Sequence, residues 1–460
     1  MSRILRAGAL GAVAVTFVAG ACRPDARVVE DDVVARLQEY LRLDTTNPPG
    51  DETRGVEFFA RILDEAGIEY QTAEPAPGRG NIWARLEGGP EPALILMHHM
   101  DVVPADPAYW STDPFSAELR DGYVYGRGAQ DTKTLGILHL EAFLALKRAG
   151  RPLNRPVIFM ATADEEAGGF MGAGWLVENR PELFEGVGLL LNEGGGGTET
   201  GSRPVFEVEV TQKVPLWLRV TARDEPGHGS LPRPTSSVGR LVRALERLRM
   251  HTFEPHLVPA VDAYLRGRAA AGVAPFADRL ADPAAAVADP DFLAALQAEN
   301  PFLAAIVRNT CSITRLEGSA KINVVPPESR AEIDCRLLPD QDPDAFIEGL
   351  HTIFDDAAIE IEKIMAFSPA VSSADTDLYR AIEAVTKKHF PDAAVLPSVQ
   401  SGFTDSHFTR DLGIISYGFS PVLTAPADAA GVHGNDERVT VENVRRGAQM
   451  MREIVESVVY

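Results

Sequence analysis

Residues 92–107, "PALILMHHMDVVPADP", decide how this chain is read. Leu94 to Met97 form a short apolar run of the kind a buried strand makes. The run stops abruptly in His98, His99 and Asp101. Strand side chains alternate faces. His99 and Asp101 therefore share one face, and His98 points to the other. A carboxylate beside a metal-binding imidazole fixes its tautomer and raises its basicity. His99 is a candidate ligand, Asp101 its orienting partner, and His98 a packed or hydrogen-bonded neighbour. A lone His-x-Asp pair is more often structural, so the rest of the chain has to support it.

Two more apolar runs end the same way. In "RPVIFMATADEEAGG", 155–169, Glu165 and Glu166 stand side by side. Like charges repel there unless a cation or a proton relieves them. In "GVGLLLNEGGGG", 186–197, Glu193 precedes four glycines. Between these runs, 132–150 has helical spacing, with apolar residues at 135, 138, 142 and 146. Strands alternating with helices predict an α/β domain with a mostly parallel sheet. Ligand sites in such sheets form at the carboxyl edge. Asp131, in the Gly-rich loop "GRGAQDTKT", is either a helix cap or a ligand. His433 lies in the polar loop "AGVHGNDERV".

Further along the texture changes. Residues 28–211 read as the first part of an α/β domain. Residues 212–366 read as an inserted smaller α/β domain, with an Ala-rich helical elaboration at about 255–308. Asp282-Pro283 and Asp289-Pro290 supply cap and first-turn proline there. Residues 367–460 complete the first domain. Asp121-Gly122 marks a hairpin turn.

The 460 residues are 45% hydrophobic and 24% charged, as in a soluble globular protein. A net charge of −22 argues against binding nucleic acid or an anionic membrane surface. Arg3 and Arg6 precede an uncharged apolar stretch, 7–21, too short to span a bilayer comfortably. This is the pattern of an export signal over 1–21. "AGAC" resembles a bacterial lipobox, so cleavage after Ala21, lipidation of Cys22 and a retained anchor all stay open. The expected location is the periplasm or, as an anchored lipoprotein, the bacterial envelope. Export permits a disulfide between Cys311 and Cys335; two buried thiols are the simpler expectation.

In order, "MHHMDVVP", "DPFSAELRDGYVYGRGAQDTKT", "ATADEEAGG", "NEGG", "GHGSLP", "KINVVPPESRAEIDCRLLP", "SGFTDSHF" and "VHGNDERV" resemble the dinuclear zinc M20 metallopeptidase family. The closest likeness is to its carboxypeptidase S-type branch, which also holds N-acyl-amino-acid hydrolases. The resemblance implies a zinc-exopeptidase-like domain, a lid domain of the dimerisation type, and two Zn²⁺ per subunit, replaceable by Co²⁺ or Mn²⁺. Asp131 would bridge the ions, one also held by Glu166 and His433, the other by His99 and Glu193. Glu165 would be the general base, with Asp101 supporting the site. His228 would be the lid histidine that stabilises the oxyanion. In some relatives that histidine comes from a partner subunit, so a homodimer through the lid is open. Arg336, Asn323, Gly402 and Thr404 would line the substrate cleft, Arg336 gripping a carboxylate unless it only pairs with a nearby Asp. Asp405 and His407 would stand behind the ligands. A cis peptide after Asp131 is also implied.

The implied activity is hydrolysis of an amide bond next to a free carboxylate. A carboxypeptidase acting on short peptides comes first and an N-acyl-amino-acid amidohydrolase second. Glu at 193, where several aminopeptidase-like branches have Asp, leans the same way. A noncatalytic metal- or peptide-binding surface lipoprotein is the remote alternative.

Overall fold

The runs Val157–Thr162, Ala93–His99 and Val187–Glu199 lie side by side, in that order, inside an eight-stranded sheet. The structure is a computed structural model describing residues 26–200 and 203–460. The expected export signal and Cys22 lie outside the described residues. Among the described residues no helix is long and apolar enough to cross a membrane.

The three runs pair in parallel, and Ile415–Thr424 joins them in parallel beyond Val187–Glu199. Antiparallel strands Asn81–Leu86 and Tyr70–Ala73 form one rim. Pro204–Gln212 and Ala394–Gln400 form the other. Leu94 and Leu96 face one apolar core, with helix Lys133–Ala149 packed on it. Ile95 and Met97 face a second core with Leu176 and Phe184. A strand buried on both faces must be apolar at every position, which explains its unbroken run. Truncating Leu96 to Ala would cost about 2–5 kcal/mol.

The α/β expectation holds, with local differences. The strand expected to stop at "NEGG" continues through the glycines to Glu199. A Cβ on Gly195 would come within 2.3 Å of Glu207 O and 2.4 Å of Gly418 O, so only glycine lets these backbones approach. Within the motif "KINVVP" only Val324–Val325 is strand. The Asp121-Gly122 turn has positive φ at both residues, 52° and 81°, as a tight hairpin requires. Ala394–Gln400 contains Pro397, which an edge strand tolerates.

A second, antiparallel sheet follows the order Thr310–Glu317, Glu328–Leu337, Val214–Arg223, Ile359–Ala366. Helices Ser237–Met250 and Pro343–Phe354 contribute to its core. Register sets Cys311 opposite Cys335, and the two form a disulfide. This corrects the expectation of two thiols: the pairing depends on register, which composition does not reveal. The helical segment begins at Pro259–Ala270 and ends at Pro301–Ala305, with Asp282 and Asp289 capping helices as expected. It packs on the rim strand Ala394–Gln400: Val261, Tyr264 and Leu265 share a core with Leu396 and Val399. These helices thus lie against the large sheet.

Candidate metal centre

His99 ends its strand at the carboxyl edge, 1% exposed. Its Nδ1 lies 2.9 Å from the Asp101 carbonyl and 3.4 Å from that residue's carboxylate. A carbonyl only accepts, so Nδ1 carries a proton and Nε2 points into the site. The backbone of Asp101, more than its side chain, orients the ring. His98, on the opposite face, is fully buried among Tyr40, Phe59 and Phe159, with Tyr40 Oη 3.4 Å from its Nε2.

His99 Nε2 is 3.1 Å from Asp131 Oδ1 and 3.7 Å from Glu193 Oε2. His433 Nε2 is 3.0 Å from Asp131 Oδ2 and 3.3 Å from Glu166 Oε2. His99, Asp131 and Glu193 each offer one donor atom, all within 4.8 Å of one another; so do Asp131, Glu166 and His433. Asp131 belongs to both sets and turns one carboxylate oxygen to each. Its peptide bond to Thr132 is cis. Three carboxylates meeting two imidazoles is a donor set for divalent cations, and it fits zinc, cobalt or manganese alike.

The charges respond to this crowding. Burial pulls the His99 ring down, but Glu193 and hydrogen bonds to Asp101 and Asp131 outweigh it and leave it well above the usual range. His433 is raised to about 10, first by its bond to Asp131 and then by Glu166. Glu165 is pushed well up by burial and next by the Glu193 charge.

Asp101 has a further task. Its carboxylate accepts from the backbone N–H groups of Glu165 and Glu166, each at 3.1 Å, and from Asn47 Nδ2 at 2.7 Å. It therefore ties the His99 side of the cluster to the Glu166 side. Glu437, fully buried, accepts from the N–H groups of Gly128, Gln130 and Asp131 and from Arg127. It fixes the loop that presents Asp131. Sequence reasoning passed over Glu437, although it stands inside the quoted "VHGNDERV". It also passed over Asn47, whose one signal is the turn-forming "TTNPPG".

The other named residues stand apart. His228 is exposed on a two-stranded ribbon, opposite Val324. Asn323, next to Val324, is exposed too, and its carbonyl accepts from Gly229 N at 2.9 Å. His228 Nδ1 accepts from Ser230 N at 3.1 Å, which leaves the ring proton on an outward Nε2. Arg336 gives Nε and Nη2 to Asp334, at 2.8 and 3.1 Å, and lies 5.7 Å from the Phe403 ring. Its Nη1 has no hydrogen-bond partner among the described residues. Thr404 is buried, bonded to Gln212, and would meet a Cβ on Gly194, beside Glu193. Gly402 is exposed. Asp405, buried beside Thr162, is raised to about 8 by burial first, against His99 and with Asp101 and Glu193. His407 is stacked between Phe367 and Phe408. The structure thus gathers the five candidate ligands with Glu165 and Asp101 and leaves His228 and Asn323 outside.

Residues 95–457 match the profile of peptidase family M20/M25/M40. The chain belongs to this family. The N-fatty-acyl-amino acid synthase/hydrolase PM20D1 of Xenopus tropicalis is 31% identical over 383 residues, 79% of this chain and 72% of the frog protein. Aminoacylase-1 of Homo sapiens is 29% identical over 431 residues, covering 92% and 94% of the two chains. The fold matches an M20 family metallo-carboxypeptidase from Sulfolobus solfataricus with a TM-score of 0.71 at 19% identity, over 93% and 99% of the chains. The M20 protein described here is therefore an enzyme of the peptidase and amidohydrolase class, which sets aside the noncatalytic reading.

Proposed function

We propose that the chain hydrolyses the amide bond of N-acyl amino acids, next to the free carboxylate, using two zinc ions shared through Asp131. One observation carries this reading: two three-residue donor sets share a single carboxylate, and Glu165 is held beside them. Both sequence relatives reported above bear names of N-acyl-amino-acid or acyl-amino-acid enzymes. They support this reading over the short-peptide carboxypeptidase, which sequence motifs alone put first.

Bound there, the ions would supply Lewis acidity toward the scissile carbonyl and lower the pKa of water. The chain supplies the rest. Glu165 takes the proton of the attacking water and passes it to the leaving nitrogen. His228 donates its outward Nε2–H to the oxyanion once the small sheet swings in. Arg336 offers Nη1 to the substrate carboxylate, its other arms already fixed by Asp334. Asn323, Gly402 and Thr404 line the cleft. We also propose export, with Cys22 lipidated or the signal cut after Ala21, and pairing of two copies through the small sheet.

The test compares an N-acyl amino acid, a blocked dipeptide and the carboxyl-amidated form of each, with and without exhaustive chelation. Chelation is expected to abolish turnover and zinc to restore it. The N-acyl amino acid should be the best substrate and the amidated forms poor. Turnover that survives chelation ends the reading; a preference for the dipeptide restores the carboxypeptidase.

A further inference from the structure

Beneath the Glu165–Glu166 turn lies a buried polar chain. Asn47, Glu52, Arg79 and Asp164 are each 8% exposed or less. Arg79 pairs through Nη2 with Asp164, and with Glu52 at 3.1 Å. Its Nη1 donates to Pro49 O at 2.8 Å. Asp164 has a left-handed backbone, φ 72°. Its other carboxylate oxygen accepts from Met171 N at 2.9 Å, and its carbonyl accepts from Ala167 N and Gly169 N. Asn47 Nδ2 lies between Asp101, at 2.7 Å, and Asp164, at 3.4 Å. Both ends of the 164–171 loop therefore hang on Asp164.

The guanidinium seat is built for its occupant. A Cβ on Gly50 would lie 1.4 Å from Arg79 Nη1. A buried ionic cluster is weak evidence of stabilisation, because apolar packing of equal volume does as well. What the cluster does supply is direction. Every guanidinium contact ends on the 47–52 segment or on Asp164, and Asp164 stands next to Glu165.

We propose that Arg79 is a positioning residue: seated on the Asn47–Gly50 turn, it fixes Asp164 and so aims Glu165 and Glu166. The inference rests on the roles given to those two glutamates above. It acts on the chemical step and not on substrate binding, because none of the cluster belongs to the residues assigned to substrate.

The full-length zinc-loaded chain is compared with Arg79→Met, Arg79→Lys and Asn47→Ala. Four quantities are read: kcat and KM on an N-acyl amino acid, bound zinc, and amide hydrogen exchange across 164–171. Arg79→Met is expected to lower kcat on the order of 100-fold, the usual cost of a small misplacement. KM should change little, and exchange of 164–171 should accelerate at least about tenfold, as a local opening. Arg79→Lys should rescue little, since one ammonium cannot reach Asp164, Glu52 and Pro49 together. An unchanged kcat in Arg79→Met overturns the proposal, as does a lower kcat with unchanged exchange. If Arg79→Met does not fold, Asn47→Ala decides, with about a tenfold fall in kcat and faster exchange expected; no change in either overturns the proposal. A wild-type chain without metal-dependent turnover would defeat the proposed function, whereas the exchange measurement would still judge the clamp.

Discussion

The ligand cluster and the small-sheet ribbon are built in opposite ways. Around Asp131 several candidates have a second anchor: the Asp101 carbonyl for His99, Asp101 for the Glu165–Glu166 backbone, Glu437 for the Asp131 loop. On the ribbon, His228 is exposed and bonds Ser230, two residues away, and Asn323 is exposed beside it. The groups proposed to activate water thus lie at the edge of the large sheet. The proposed oxyanion donor, His228, is carried on the separate ribbon. A strained intermediate needs fixed donors, whereas a substrate must first get in.

The contrast can be tested in descending order of effect. Glu165→Gln removes the proton carrier and keeps the backbone anchors. Turnover is expected to fall up to about 10,000-fold while both metals stay bound, checked by elemental analysis beside the assay. If turnover persists, the rigid half does not hold the base. His228→Ala should cost about 100- to 1,000-fold in kcat with melting temperature nearly unchanged, because the exposed ring makes only a local bond, to Ser230 two residues away. A fall in stability would mean the ribbon is structural. Arg336→Ala should raise KM about 10- to 100-fold for a free-carboxylate substrate and leave the amidated one untouched. Equal losses on both would remove the carboxylate grip.

The smallest effect falls where the two bodies meet. His407 is held between Phe367 and Phe408, and burial lowers it to about 3. In the unfolded chain it titrates at about 6.5. The unfolded state therefore binds the extra proton between those values. Stability should fall as pH drops from about 6.5 to 3 and be full above that window. Melting curves of His407→Leu across that range should show a shallower acid-side loss. An unchanged slope would place the acid sensitivity elsewhere, His139 being lowered by burial in the same way.

Much of this was legible from the chain alone, for identifiable reasons. Strands buried on both faces announce themselves by unbroken apolar runs, and their polar endings marked His99, Glu166 and Glu193. Asp131 and His433 were legible only through the motif resemblance, since each is a lone residue in a loop. The Cys311–Cys335 bond was only the second expectation because pairing follows register. The anchors Asn47, Arg79 and Glu437 were missed because they act by hydrogen bonds across 30 to 310 residues of chain. No local pattern encodes such distances.

The helices over 259–305 have one more consequence. Because they rest on Ala394–Gln400, the polypeptide passes between the two bodies at Gln212–Val214, again between Met250 and Pro259, between Ala305 and Thr310, and after Ala366. At Lys213 the first passage is tied to the third, its ammonium bonded to the carbonyls of Ala305 and Arg308. A flap sewn on by two threads can turn freely; one sewn on by four, with two knotted together, keeps to a short arc.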